Sequence, residues 1–328
     1  MQYRLLGRTG VRVSTLGLGT MMFGDRLPEP DAVRVVHAAL DAGVNLIDTA
    51  DVYAGGESER ILGRALKGRR HEAFLATKVR RALPGDGRVN AEGLSRLRIL
   101  EAAEDSLRRL GTDHIDLYQV HWADPLTPLD ETLRALDDLV RQGKVRYIGC
   151  SNFPAWRLMK SLWVSNTMGL SRFESNQINL NLLQHEAEEE ILPACREEKV
   201  AVLAFSPLAG GLLTGKYNGG VAPAGSRGGD SDVWRSRLTP ANLAFLREMA
   251  GVAEQSGFTM LELAMEWVLS VAEVTSLLAG PSSAVQWEAY MDAAGRLEAD
   301  PPPAEVLSSL VRLRAERGAG LPRHGRYI

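Results

Sequence analysis

The sequence lacks the long apolar runs, the strong net charge and the cysteine spacing that mark membrane proteins, nucleic-acid-binding proteins and metal-binding proteins. None of its apolar runs approaches the length of a membrane span, and its formal net charge is only -3, so nothing attracts it to nucleic acid or an anionic membrane. The two cysteines, Cys150 and Cys195, lie far apart without metal-ligand spacing. We therefore expect reduced thiols rather than a disulfide, no metal, no nucleic-acid partner and no membrane partner.

The N-terminal stretch MQYRLLGRTG also lacks the apolar run of a signal peptide. Together with reduced cysteines, this predicts a cytoplasmic protein. Apolar residues make up 45% of the chain and charged residues 24%, as in an ordinary globular protein. A chain of this length buries about three quarters of its unfolded surface, so its core needs no disulfides.

One pattern recurs along the chain, in which an amphipathic helix and a glycine precede a short β-branched run. Gly43, Gly111 and Gly143 suit the left-handed conformation that ends a helix, and Lys199 takes that place in a fourth copy. The runs are almost continuously apolar, which is typical of parallel strands covered on both faces. Eight strands are predicted, near Leu16, Leu46, Phe74, Leu117, Tyr147, Glu174, Leu203 and Leu277.

Eight strand–helix units in series predict an α/β fold, a (β/α)8 TIM barrel that residues 1–328 form as a single domain. Residues 3–6 and 11–13 flank the turn sequence GRTG and predict an N-terminal β-hairpin that plugs the lower end of the barrel. A proline run precedes an extra C-terminal helix over residues 304–317. Residues 207–240 lack periodicity, which indicates a functional or partly disordered loop.

Four polar side chains stand at or just past the ends of three consecutive predicted strands: Asp48, Tyr53, Lys78 and His121. Neighbouring strands lie about 4.8 Å apart, so these groups converge at the edge where barrels keep their chemistry. Taken singly, each is more often a turn, packing or surface residue. Their coincidence favours a proton-transfer site.

The motifs around these positions resemble those of the aldo-keto reductase family. The resemblance lies in NLIDTADVY (45–53), GESERILG (56–63), ATK (76–78), HW (121–122), GCSNF (149–153) and FSPL (205–208). It implies a barrel that binds NADPH or NADH in extended form and interconverts carbonyls and alcohols. The four polar residues would then be catalytic.

Carbonyl reduction needs a hydride and a proton, and Tyr53 is the natural proton donor. A free phenol has a pKa of about 10, and we expect the ammonium of Lys78 to lower it by roughly 1–3 units. Asp48 would hold Lys78 in place, and His121 would orient the carbonyl.

Cofactor binding must use other means than a Rossmann fingerprint, because Gly17-Leu18-Gly19 has no third glycine. Amide and hydroxyl groups at strand ends can bind a nicotinamide carboxamide, and an aromatic face can stack on its ring. In register with the family pattern, the candidates are Ser151, Asn152, Gln177 and Phe205.

The segment 206–216 offers glycines and a lysine to phosphates, and the segment before the last barrel helix resembles the family's adenosine-phosphate site. The resulting candidates are Ser206, Leu208, Gly210, Lys216, Gly280, Ser282 and Gln286. The chain departs from the family in having no basic residue near Ser282, and in having Ala289 and Tyr290 at the adenine-reading positions. Because serines with Lys216 can still hold a phosphate, we favour NADP(H) over NAD(H).

The substrate would be a small carbonyl compound or alcohol, in a largely apolar pocket lined by Met21, Met22, Phe23, Trp122 and residues of the long loop 207–240. Two other functions stay open at this point. One is a barrel lyase that uses Lys78 as a Schiff base. The other is a non-catalytic or redox-sensing NADP-binding regulatory subunit, since some members of the family are channel-associated.

Overall fold

The computed structural model describes residues 1–321, so residues 322–328 of the predicted domain lie outside the described residues. Eight parallel strands close into a barrel in which each strand pairs with the next along the chain, and the last pairs with the first. They are β3 (Leu16–Gly19), β4 (Leu46–Asp48), β5 (Phe74–Val79), β6 (Ile115–Val120), β7 (Val145–Ser151), β8 (Phe173–Asn179), β9 (Ala201–Phe205) and β10 (Val274–Ala279). All eight predicted strand positions are confirmed.

Helices surround the barrel, and several of them bury an apolar stripe. In α3, for example, Ala103, Leu107 and Leu110 are buried, as their helical spacing predicts. The helices are α1 (Glu29–Asp41), α2 (Glu57–Ala65), α3 (Arg96–Leu110), α4 (Leu129–Arg141), α5 (Ala155–Met168), α6 (Ile191–Glu198), α7 (Arg227–Asp230), α8 (Asp232–Arg235), α9 (Pro240–Ser256), α10 (Met260–Ser270), α11 (Ala284–Ala299) and α12 (Ala304–Arg317). None of the helices in residues 1–321 combines the length and apolarity that crossing a membrane requires.

An antiparallel hairpin precedes the barrel, as predicted, and consists of β1 (Tyr3–Leu5) and β2 (Arg12–Ser14). Leu6 and Val13 are fully buried at its base. They join a cluster of inward-facing barrel residues that includes Leu46, Phe74 and Leu203. The hairpin therefore fills one end of the barrel with apolar side chains, and the other end is left for the polar residues.

The long connection after β9 is more regular than its sequence indicates. It begins with a 3-10 turn at Ala209–Thr214 and continues through the short helices α7 and α8. Arg26, in the β3–α1 loop, donates to the carboxylate of Asp230 at 2.8 Å and to the carbonyl of Gly225 at 3.3 Å. The connection is thus tied across the mouth of the barrel.

The end of α6 generates a stability prediction, because Lys199 adopts the left-handed conformation with φ of 52°. This conformation costs an L-residue about 1–2 kcal/mol, whereas glycine loses about 0.5–1 kcal/mol of extra chain entropy. We expect Lys199→Gly to raise the free energy of unfolding by about 0.5–1 kcal/mol in urea denaturation. Lys160→Gly, within α5, should lower it by about 1 kcal/mol; a Lys199→Gly variant that behaves likewise would contradict the strain argument.

Candidate active site

The barrel brings the four predicted polar residues together at its open end. Asp48 ends β4, Lys78 is the penultimate residue of β5, and His121 directly follows β6. Tyr53 begins a 3-10 turn that follows β4 by a few residues. Because these strands are adjacent and parallel, their carboxyl ends place all four side chains around one point.

Lys78 and Asp48 form a buried ion pair at the base of this group. Lys78 is fully buried and Asp48 is 3% exposed, and the ammonium donates to the Asp48 carboxylate. It also donates to the carbonyl of Thr49 at 2.8 Å. Burial is the largest single influence and lowers the pKa of Lys78, but Asp48 and Tyr53 together outweigh it, and the pKa of Lys78 lies above its ordinary value.

Two amides complete the coordination of Asp48. Gln119 donates to Asp48 Oδ2 at 2.9 Å and Gln177 donates to the same oxygen at 2.8 Å, while Gln177 also donates to Gln119 Oε1 at 3.3 Å. The sequence reasoning missed Gln119. The available signal was an amide residue near the end of the strand IDLYQV, directly beside Lys78 in the strand register.

The hydroxyl of Tyr53 accepts from the ammonium of Lys78 at 3.4 Å. Burial raises the pKa of Tyr53, and it outweighs the lowering effect of Lys78, so the net direction is above the ordinary value. Lys78 lowers this pKa, as expected, but the loss of water around the ring has the larger effect. Tyr53 is a protonated phenol at neutral pH.

His121 lies on the other side of Tyr53, with the two rings edge to face at a centroid separation of 5.8 Å. Its ring stacks on Trp122 at 3.9 Å, and its Nδ1 has no hydrogen-bond partner within residues 1–321. Burial lowers the pKa of His121 well below 6.5, and the positive charges of Lys78 and Arg80 lower it further. The imidazole is neutral at pH 7 and can donate one hydrogen bond to a ligand.

A cavity of about 560 Å³ opens above these residues. It is lined by most of the residues predicted to bind substrate or cofactor, namely Met21, Trp122, Ser151, Asn152, Gln177, Phe205, Ser206, Leu208, Gly210, Lys216, Gly280, Ser282 and Gln286. Met22 and Phe23 do not line it. They are 7% and 0% exposed and pack in the hydrophobic core, because the turn after β3 directs only Met21 outward.

The β9 end of the cavity is a close-fitting glycine cradle. Gly210 and Gly211 have φ of 69° and 96°. A Cβ on Gly210 would come within 2.0 Å of the Trp234 ring, and one on Gly211 would lie 2.7 Å from Lys216 Nζ. Backbone amides without side chains beside an ammonium suit a phosphate. This donor chemistry fits the diphosphate of a nicotinamide dinucleotide.

Three further cavity residues were not identified from the sequence. Arg26 belongs to the β3–α1 loop, and Trp234 and Arg237 belong to the long loop, which the sequence predicts to line the pocket without specifying its residues. Arg26, Trp234 and Arg237 line the cavity, and the guanidinium of Arg237 lies 3.7 Å from the centre of the Trp234 ring. No strand or helix periodicity marks these positions in the sequence. Lys216 and Arg237 give this side of the cavity positive charge, and Arg26 is paired with Asp230.

The β10 end of the cavity is built on the start of α11. Ser283 caps this helix by accepting from the amide of Gln286 at 3.2 Å. The amide and hydroxyl of Ser282 donate to Gln286 Oε1 at 2.9 and 3.0 Å. Ala289 and Tyr290 also line this end. It offers hydroxyl and amide groups to a polar ligand, beside an apolar wall.

The fold and this constellation are those of a carbonyl oxidoreductase. A family model described as "Aldo/keto reductase family" matches residues 15–301. The chain belongs to the aldo/keto reductase family, as its motifs predict, and the chemistry common to that family is carbonyl reduction with a nicotinamide cofactor.

Several curated proteins are similar over most of their length. An uncharacterized oxidoreductase of Bacillus subtilis (strain 168), YrpG, is 40% identical over 87% of this chain and 89% of its own length. The aldo-keto reductase YhdN of the same organism is 34% identical over 90% and 89%. A probable voltage-gated potassium channel subunit beta of Arabidopsis thaliana is 34% identical over 89% and 91%.

The electrostatics of His121 can be tested by titration. We expect its imidazole to titrate well below pH 6.5 in nitrogen-15 NMR spectra, with the resonance assigned through a His121→Gln variant. Lys78→Met should raise this pKa, because it removes a nearby positive charge and leaves Asp48 unneutralised. An unchanged His121 pKa in Lys78→Met would contradict the charge coupling.

Proposed function

We propose that this protein reduces aldehydes or ketones to alcohols, or catalyses the reverse reaction, with Tyr53 as general acid and base. The observation that carries the proposal is the 3.4 Å contact between the Tyr53 hydroxyl and the Lys78 ammonium, below a cavity large enough for a ligand. A bound nicotinamide supplies the hydride in this chemistry.

Tyr53 is protonated at neutral pH, so it has a proton to donate when a stronger base forms. A carbonyl oxygen becomes such a base as it develops alkoxide character, and Tyr53 then donates its proton to that oxygen. The ammonium of Lys78 stabilises the phenolate left behind. Asp48 keeps Lys78 charged and in place.

His121 would act as a neutral hydrogen-bond donor that orients the carbonyl oxygen toward Tyr53. A cationic imidazole would compete with Tyr53 as the acid, and the low pKa of His121 excludes this at neutral pH. Lys78 is a poor Schiff-base nucleophile because its pKa is raised rather than lowered. The lowered pKa of His121 and the raised pKa of Lys78 therefore favour carbonyl reduction over a Schiff-base lyase reaction.

For the cofactor, we propose NADP(H) in preference to NAD(H). Ser151, Asn152 and Gln177 would hold the carboxamide, Phe205 would stack on the ring, and the glycine cradle with Lys216 would hold the diphosphate. Ser282 and Gln286 would face the adenosine end. The support for a phosphorylated ribose is the positive charge of Lys216 and Arg237 in the cavity lining; Arg26, which also lines the cavity, is paired with Asp230.

We also propose that the chain works as one catalytic unit in a reducing cytoplasm, with a small carbonyl compound as its partner. The support is that Cys150 and Cys195 are both free and buried, and burial raises the pKa of each thiol. Thiols in this form are suited to a reducing compartment.

The acid role is tested by Tyr53→Phe. We expect kcat for an aldehyde substrate to fall by about 10²–10⁴, with the dissociation constant for the cofactor nearly unchanged, because only the hydroxyl is removed. Tyr147→Phe, in β7 near the closed end of the barrel, is the matched control and should retain full activity. Retention of most activity in Tyr53→Phe would overturn the assignment.

Cofactor preference is tested by quenching of tryptophan fluorescence, since Trp122 and Trp234 line the cavity. We expect NADPH to bind more tightly than NADH. Lys216→Ala should weaken binding of NADPH about tenfold, as expected for loss of a charge-assisted hydrogen bond. Lys67→Ala, on the exposed surface away from the cavity, serves as control. Tighter binding of NADH would contradict the preference.

A regulatory subunit is the second candidate function, and the similarity to a probable potassium channel subunit beta favours it. A reductase converts carbonyl substrates, whereas a regulatory subunit binds the cofactor without converting a substrate. Binding of NADPH without reduction of any member of a broad panel of aldehydes, ketones and quinones would support the regulatory role. Turnover that depends on Tyr53 would support the reductase.

A further inference from the structure

A second buried ion pair lies behind the loop that carries Tyr53. Asp51 is 1% exposed and Arg98, on α3, is 3% exposed. Arg98 Nη2 donates to Asp51 Oδ2 at 2.9 Å, and the same nitrogen donates to the carbonyl of Arg81 at 3.1 Å. The side chain of Arg98 therefore joins the loop after β4 to the loop after β5.

Each of these loops contacts residues of the candidate active site. Asp51 is two residues before Tyr53, and its amide donates to the carbonyl of Lys78 at 3.2 Å. The guanidinium of Arg81 lies 4.9 Å from the centre of the Trp122 ring, and Trp122 stacks on His121. Arg98 thus contacts both the loop that carries Tyr53 and the loop whose Arg81 packs on Trp122.

The pair is imperfectly satisfied, which argues against a purely stabilising role. Asp51 Oδ1 and Arg98 Nε are buried and find no hydrogen-bond partner among the described residues. A buried ion pair contributes little net stability compared with apolar residues of the same volume, but it can select one conformation. The conformation selected here is that of the two loops.

We propose that Arg98 and Asp51 are positioning residues that fix the Tyr53 hydroxyl relative to Lys78 and hold Trp122 against His121. This inference rests on the proposed role of Tyr53 as the acid. Neither residue lines the cavity. They act through the loops and not on the substrate.

The charges around Asp51 give this role a signature in the pH profile. Burial and the carboxylate of Glu59 raise the pKa of Asp51 to about 7, against the opposing effect of Arg98 and Arg109. Asp51 in turn raises the pKa of Tyr53 and of the buried Tyr118. Removing the negative charge of Asp51 should therefore shift the Tyr53-dependent alkaline limb of kcat to lower pH.

The experiment compares Arg98→Met, Arg98→Lys and Asp51→Asn in the full chain. We expect Arg98→Met to lower kcat by about 10- to 100-fold, as a displacement of about 1 Å would, with the dissociation constant for NADPH unchanged. Arg98→Lys should recover part of the loss, since an ammonium can still donate to both acceptors. Asp51→Asn should shift the alkaline limb downward. Arg108→Met, an exposed arginine on the same helix that pairs with Asp105, is the control.

Amide hydrogen exchange provides a readout that does not depend on turnover. Residues 49–56 should exchange faster in Arg98→Met and Asp51→Asn than in the unmodified protein and in Arg108→Met. Unchanged exchange there, or an unchanged kcat in folded Arg98→Met together with an unchanged alkaline limb in folded Asp51→Asn, would overturn the proposal. If Tyr53→Phe retains its activity, the function proposed for the site fails, while faster exchange would still assign the pair its role in holding the loop.

Discussion

The buried contact between Lys78 and Asp48 is the interaction on which the site depends. A charged amine in a barrel interior is unfavourable unless it is paired and hydrogen-bonded, and here the Asp48 carboxylate and the Thr49 carbonyl meet that requirement. Two glutamine amides in turn donate to the Asp48 carboxylate. The raised pKa of Lys78 follows from this arrangement. The neighbouring phenol therefore faces a permanent positive charge.

The barrel makes this arrangement possible because each member comes from a different strand. Lys78 and Gln119 are direct partners in the β5–β6 register, and Ser151 pairs with Gln177 in the β7–β8 register. Rigid, hydrogen-bonded strands hold such side chains more firmly than loops do. Tyr53 is the exception, because it stands on a turn. Its position therefore depends on the contacts that hold this turn, such as the ion pair between Asp51 and Arg98.

The sequence was sufficient for features that depend on local pattern. The eight strands, the hairpin and the meeting of Asp48, Lys78 and His121 follow from periodicity and from the rule that parallel strands end at one edge. Other features depend on where elements pack. The direction of Met22 and Phe23 after β3, the burial that raises the pKa of Tyr53, and the reach of Arg98 from α3 to two loops become visible only when the surrounding chain is in place.

The apolar hairpin at the base of the barrel limits how ligands can enter and leave the cavity. Leu6 and Val13 close that end completely, so the vestibule above Tyr53 is blind. Any molecule that binds above Tyr53 must therefore enter and leave through the open end of the barrel.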